Sequence, residues 1–250
     1  MTIVQIGERV DDLDLKGLRI IQNPKWFCFG IDAVLLASFA VIKNKHRVID
    51  LGTGTGIIPL LVYGKYSPKE IVGIEIQKDV AEMAERSIQM NNLEDVIKIY
   101  NSDIKDSPNL LGVNSFDIVL SNPPYKKANT GIVNPADTKA ISRHEVLINL
   151  EELVYSAARL LKEGGKFYMI HRPERLKDII LSLDKNKFAP KRIKFIHSRA
   201  GDKPSMLLVE SVKSGGDFLK IEEPIYVYNE DGTSTDEILR MYGRVKPCQE

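Results

Sequence analysis

Cysteine is scarce in this chain. Its 250 residues hold only Cys28 and Cys248, far apart in sequence. With four scattered histidines they make neither a disulfide framework nor a metal-ligand cluster. His144, His171 and His197 therefore read as surface or groove residues rather than ligands. Long apolar runs are also missing. None approaches membrane-spanning length, and no secretory h-region opens the chain. The expectation is a cytoplasmic protein without metal, membrane association or an evident obligate protein partner. Strong net charge is absent, at +1, so attraction to a charged partner must come from local patterning. There are no repeats and no sign of a second domain. The 43% hydrophobic content suffices for one substantial core over residues 1–250.

What is present begins with Ser121-Asn122-Pro123-Pro124-Tyr125. The apolar run Phe116–Leu120 before it reads as a buried strand. Two prolines then block continuation and fix a rigid turn. Such a turn presents an amide, a backbone carbonyl and an aromatic face to one flat object. Asn122 Oδ1 and the Pro123 carbonyl can accept both N–H bonds of a planar amine, and Tyr125 can stack on its plane. By itself the same sequence also serves as a plain strand-ending turn.

A second signal lies upstream. Arg47–Leu51 is β-rich, Gly52-Thr53-Gly54-Thr55-Gly56 follows, and Ile57 opens an apolar helix. Strand, glycine loop and helix in this order resemble a nucleotide-binding crossover. The third glycine comes one residue early for the dinucleotide fingerprint, and no Lys-Ser/Thr follows to make a phosphate loop. Asp50 before the glycines would repel phosphate but attract a sulfonium or amino group. The strand Ile71–Glu75 ends in a carboxylate able to accept both ribose hydroxyls, with Ile76 beside it. The strand Val96–Tyr100 leads to Asp103, where a carboxylate can take an adenine amino group, next to Ile104. A strand-end acid alone is often only a helix cap. One polar group at each of four successive strand ends is harder to obtain by chance.

On these residues the chain resembles a class I methyltransferase using S-adenosylmethionine, of the kind that methylates planar amino groups. The segment Trp26–Ala37, with Phe29, Gly30 and Asp32, is similar to the Phe-Gly-x-Asp-Ala-x-Leu-Leu element of the bacterial tRNA(Val) adenine-N6-methyltransferase family. Arg143-His144-Glu145 and the stretch from Leu208 to Gly216 also look like that family. The resemblance implies a Rossmann-like α/β sandwich with a mostly parallel seven-stranded sheet. It implies S-adenosylmethionine as cofactor, held by Phe29, Asp32, Asp50, Gly52, Thr53, Gly54, Glu75, Ile76, Asp103, Ile104 and Asn122, with Gly56 closing the loop. Asn122, Pro123 and Tyr125 are the catalytic set it implies, and tRNA is the partner, methylated in the anticodon loop. Two further classes carry the same turn. Protein-glutamine methyltransferases usually place a helical domain before the glycine loop, whereas only 46 residues precede Arg47 here. DNA adenine methyltransferases normally need a target-recognition insertion, and none is visible.

Charge patterning fits a polyanion. Residues 156–213 carry 14 Lys/Arg and 6 Asp/Glu, a balance of +8. Arg172 and Arg175 lie in this stretch, and Lys126 and Lys127 follow the turn directly. These four are the candidate phosphate contacts, although a solvated surface has the same composition. Residues 126–142 form a long polar loop beside Tyr125, of the kind that orders on substrate. Elsewhere the pattern predicts a hairpin over 10–22, a buried helix capped by Asp32, and a helix over 78–91. It also predicts a helix over 150–161 stopped by Gly164-Gly165, a helix over 173–183, and a closing antiparallel strand pair.

Overall fold

The computed structural model describes residues 3–26, 28–124 and 149–244. Phe27, Tyr125, Lys126, Lys127, the polar loop, Arg143-His144-Glu145 and Cys248 therefore lie outside the described residues. The chain opens with an antiparallel hairpin, β1 (Arg9–Asp12) and β2 (Arg19–Gln22). Helix α1 (Ile31–Phe39) follows. The central units alternate: β3 (Arg47–Leu51), α2 (Ile57–Tyr66), β4 (Glu70–Glu75), α3 (Lys78–Met90), β5 (Ile97–Asn101), α4 (Ser107–Leu111) and β6 (Phe116–Ser121). After the loop come α5 (Leu150–Leu160), β7 (Leu161–His171), α6 (Leu176–Lys185), β8 (Phe188–His197) and β9 (Pro204–Lys213). Two-residue strands β10 (Lys220–Ile221) and β11 (Ile225–Tyr226) and the short helix α7 (Asp236–Met241) close the described chain.

The main sheet runs β10-β8-β9-β7-β6-β3-β4-β5, with β11 also on β8. Only β9 is antiparallel to its neighbours. The seven expected strands are all present, and β10 and β11 extend them at the β8 edge. The two core layers follow from strand alternation. Val48, Ile71, Ile118 and Tyr168 face α1 and α2, while Ile49, Val72, Val119 and Phe167 face α5 and α6. Helix α1 is buried almost all round, as its composition requires. Strand order reverses between β3 and β6, so the crevice at their carboxyl ends is where an open α/β sheet binds ligands.

Three local expectations need correction. Gly30, not Asp32, is the N-cap of α1. Asp32 stands inside the first turn, and its carboxylate accepts from a distant partner described below. Gly164-Gly165 does not terminate α5. That helix ends at Leu160, and the glycines fall within β7, where a Cβ on Gly165 would meet the Lys162 carbonyl at 2.8 Å. The segment after Pro173 begins as a 3-10 turn over Pro173–Arg175 before α6 starts.

Candidate active site

The glycine loop leaves β3 through three left-handed residues, Gly52, Gly54 and Gly56, with φ of 80°, 57° and 84°. Side chains resist that conformation, so the turn requires glycine. The N–H groups of Gly52 and Thr53 both donate to the Ile74 carbonyl at 2.9 Å, which folds the loop back on β4. Glu75, 5% exposed at the end of β4, then joins loop to strand. Gly54 N–H donates to Glu75 Oε2 at 3.0 Å, and Gln77 N–H donates to Oε1 at 2.9 Å. A carboxylate offers about four acceptor positions, so two such bonds orient it without saturating it. Gly54 has open space where a Cβ would be, so a ligand can approach its backbone.

Asp50 lies beneath this loop at 0% exposure, and neither carboxylate oxygen has a hydrogen-bond partner. Burial pushes its carboxyl up to about 7, and the negative Glu75 adds to the rise. The Thr53 hydroxyl pulls the other way without reaching hydrogen-bond geometry. At the end of β5, Asn101 Nδ2 donates to the carbonyls of Glu75 and Ile76, both at 2.9 Å, locking β4 and β5 together below the site. Asp103 does cap a short helical turn, accepting from Lys105 N–H at 2.9 Å. Its second oxygen lies 3.4 Å from Lys105 Nζ. Ile104 is buried in the core beside it, and Ile76 is half-buried.

The Asn-Pro-Pro turn leaves β6 next to β3. Ser121 Oγ donates to the Leu51 carbonyl at 2.7 Å and ties the two strand ends together under the crevice. Pro123 is buried, and Asn122 is half-buried. Asn122 Nδ2 donates to Asp32 Oδ2 at 3.0 Å. Phe29 packs at the edge of the core near α1, its N–H donating to Gln22 Oε1 at 2.9 Å. The described candidates from four strand ends thus converge on one side of the sheet.

His171 contradicts the surface reading. It ends β7 at 2% exposure, two residues past the Ser121–Met169 pair that closes the β6–β7 register, and its registered neighbour is Leu207 of β9. Burial, with the nearby Arg175 and Arg172, pushes it down to about 4, so the imidazole is neutral. Arg172 N–H donates to its Nδ1 at 2.7 Å, leaving Nε2 to carry the hydrogen. No sequence signal marks it, since a strand-end histidine next to two arginines looks solvated. Arg172 also donates from Nη1 to the Ser205 carbonyl at 3.0 Å, and Arg175 pairs with Asp178 at 2.7 Å. Part of the basic stretch is internal. Arg192 is held by Glu210 and by Glu222, and it stacks on the Phe39 ring at 4.2 Å. Among the described residues no cluster of three or more His, Cys, Asp or Glu could hold a metal ion, and no helix is long and apolar enough to cross a membrane.

The family model of the methyltransferase small domain matches residues 30–184, from the residue before α1 through α6. The chain belongs to that family. It is an S-adenosylmethionine-dependent methyltransferase. Among its relatives, a tRNA1(Val) (adenine(37)-N6)-methyltransferase of Porphyromonas gingivalis is 32% identical over 206 residues, covering 80% of either chain. Proteins of the same name from Phocaeicola vulgatus and Tolumonas auensis are 29% and 26% identical, over 81% and 78% of this chain and 86% and 80% of theirs. A crystal structure from Agrobacterium tumefaciens, described as a predicted O-methyltransferase, superposes with a TM-score of 0.69 at 23% identity, over 85% of this chain and 96% of the other. Geranyl diphosphate C-methyltransferase of Streptomyces coelicolor gives 0.55 at 12% identity, over 72% and 78%. These two likenesses establish the fold.

The residues of this methyltransferase fit the cofactor. An orphaned buried carboxylate at Asp50 suits a cationic ligand, and the open side of Gly54 admits it. Bound S-adenosylmethionine supplies a methyl group on an electron-poor sulfur. Glu75 could hold its ribose, Asp103 its adenine, and Asp50 could lie near its positive end.

Asp50 also makes a stability prediction. Its folded value of about 7 lies above its ordinary 3.8. Between those values the unfolded chain is ionised while the folded chain keeps the proton, so stability falls as pH rises through this window. Asp50→Asn is expected to raise the melting temperature of the ligand-free protein at pH 8, with a smaller effect at pH 5, while weakening cofactor binding. Thermal unfolding at both pH values checks this, and a less stable variant at pH 8 would contradict the assignment.

Proposed function

We propose that this methyltransferase methylates N6 of an adenine in tRNA, in the anticodon loop of tRNA(Val). The observation that carries the proposal is the Asn122-Pro123 turn, set at the end of β6 beside the glycine loop of β3. The names of the relatives support it.

An exocyclic adenine amine is a poor nucleophile because its lone pair is delocalised into the ring. Asn122 Oδ1 and the Pro123 carbonyl accept its two N–H bonds and favour a pyramidal nitrogen as attack begins. This is stabilisation aimed at charge that develops in the transition state. The remaining demand is alignment of the amine with the methyl group. No strong general base is needed, since the methylated ammonium loses its proton readily. The base must leave its stack, which costs least in a single-stranded loop.

Binding through phosphates should weaken steeply with salt, with a log–log slope whose magnitude reflects several phosphates. Replacing Lys126 and Lys127, or Arg172 and Arg175, by Gln is expected to weaken tRNA binding and flatten that slope without changing cofactor affinity. The function is tested by incubating the protein and methyl-labelled cofactor with unmodified tRNA, release factor and DNA in parallel. Label in tRNA alone supports the proposal, whereas label in release factor alone moves the activity to glutamine.

A further inference from the structure

We propose that Asp32 is a positioning residue for methyl transfer, holding the Asn122 amide in the orientation that presents its oxygen to the substrate amine. The inference rests on the reading above, in which Asn122 Oδ1 accepts from the target NH2. An asparagine amide is nearly symmetric in shape but opposite in chemistry at its two ends. Flipped, it would set its own NH2 against the NH2 of the substrate, donor facing donor. A carboxylate has only acceptors, so it admits only the NH2 end of an amide. Asp32 Oδ2 takes that end at 3.0 Å. The Asn122 oxygen therefore lies on the opposite side of the amide group.

The carboxylate is itself fixed. Asp32 is 8% exposed, in the first turn of the buried helix α1, where helix polarity favours an anion. Its Oδ1 accepts from Ala33 N–H at 3.1 Å. A Cβ on Gly30 would stand 2.8 Å from that same oxygen, so a side chain there would push the carboxylate out of this position. This supplies a physical reason for glycine and aspartate two residues apart at the start of α1. It also gives Asp32 a role separate from contact with the cofactor.

The test compares four proteins: the unaltered chain, Asp32→Asn, Asn122→Asp, and the double exchange. In the first variant the amide introduced at position 32 can meet either end of the Asn122 amide, so the orientation is lost. The turnover number at saturating cofactor should fall at least roughly tenfold, the size seen when an orienting partner is removed at metal sites, whatever the change in cofactor affinity. Asn122→Asp sets two carboxylates face to face and should be poorer still. In the double exchange the new amide at position 32 donates to the new carboxylate at position 122. The second oxygen of that carboxylate again faces the amine, and turnover should rise above both single variants. Side-chain NMR of 15N-asparagine-labelled protein gives a readout independent of substrate: the Asn122 NH2 resonances should move and broaden in Asp32→Asn. Should that variant fail to fold, Gly30→Ala, which displaces the carboxylate, is expected to show the same loss of turnover and the same NMR change. Normal turnover in Asp32→Asn, a defect confined to cofactor affinity, or no gain in the double exchange would overturn the inference. Failure of the unaltered protein to methylate tRNA would instead overturn the proposed function. The four proteins are then ranked on the substrate it does accept, and the NMR result stands on its own.

Discussion

Asn122→Ala is expected to lower the rate of methyl transfer by roughly a hundredfold or more, the usual effect of removing a group that stabilises developing charge. Cofactor affinity should stay close to normal. The side chain stands at the end of β6 and is tied to Asp32 on α1, whereas the residues assigned to the cofactor belong mainly to the ends of β3, β4 and β5. The backbone turn should survive, because Pro123 and Pro124 fix it and Ser121 Oγ anchors the strand end to Leu51. The measurement is single-turnover methyl transfer at saturating cofactor, together with calorimetric cofactor binding. A variant with near-normal turnover would show Asn122 to be merely a turn residue.

Glu75→Ala is expected to produce the largest loss of cofactor affinity. Two charge-assisted hydrogen bonds to a ribose are worth roughly 1.5–3 kcal/mol each, so affinity should fall on the order of a hundredfold or more. The structure adds a second cause. The same carboxylate receives the N–H groups of Gly54 and Gln77, so its removal also releases the glycine loop from β4. Glu75→Gln keeps acceptor capacity at one end of the side chain and should fall between the two. Calorimetry that found unchanged cofactor affinity in Glu75→Ala would remove Glu75 from the site.

The parts of the fold and site that the sequence revealed are those encoded locally. Glycine spacing after β3, a carboxylate ending β4 and paired prolines ending β6 each carry their own backbone constraint. Period-two and period-3.6 apolar patterns were enough to order the strands and helices between them. The parts it hid depend on distant neighbours. Asp32 and Asn122 are 90 positions apart, so their pairing leaves no local trace, and Asp32 looked like an ordinary helix cap. His171 is buried on an interior strand, where Leu207 of the distant β9 is its registered neighbour, not because of its own surroundings in the sequence. Arg192 counted toward a basic surface, yet Glu222 from the tail helps to neutralise it inside the molecule. Strands β10 and β11 are two residues long; an apolar-aromatic run marks β11 at Ile225–Tyr226, but nothing local announces that both pair with β8.

The most direct test of the account is to map the methyl group itself. Unmodified tRNA(Val) transcript is incubated with the purified protein and S-adenosylmethionine, digested with nuclease and analysed by mass spectrometry. The expected result is one added methyl, on N6 of an adenine in the anticodon loop, and none with Asn122→Ala. Methylated release factor alongside a tRNA pool in which every adenine is unchanged would contradict it.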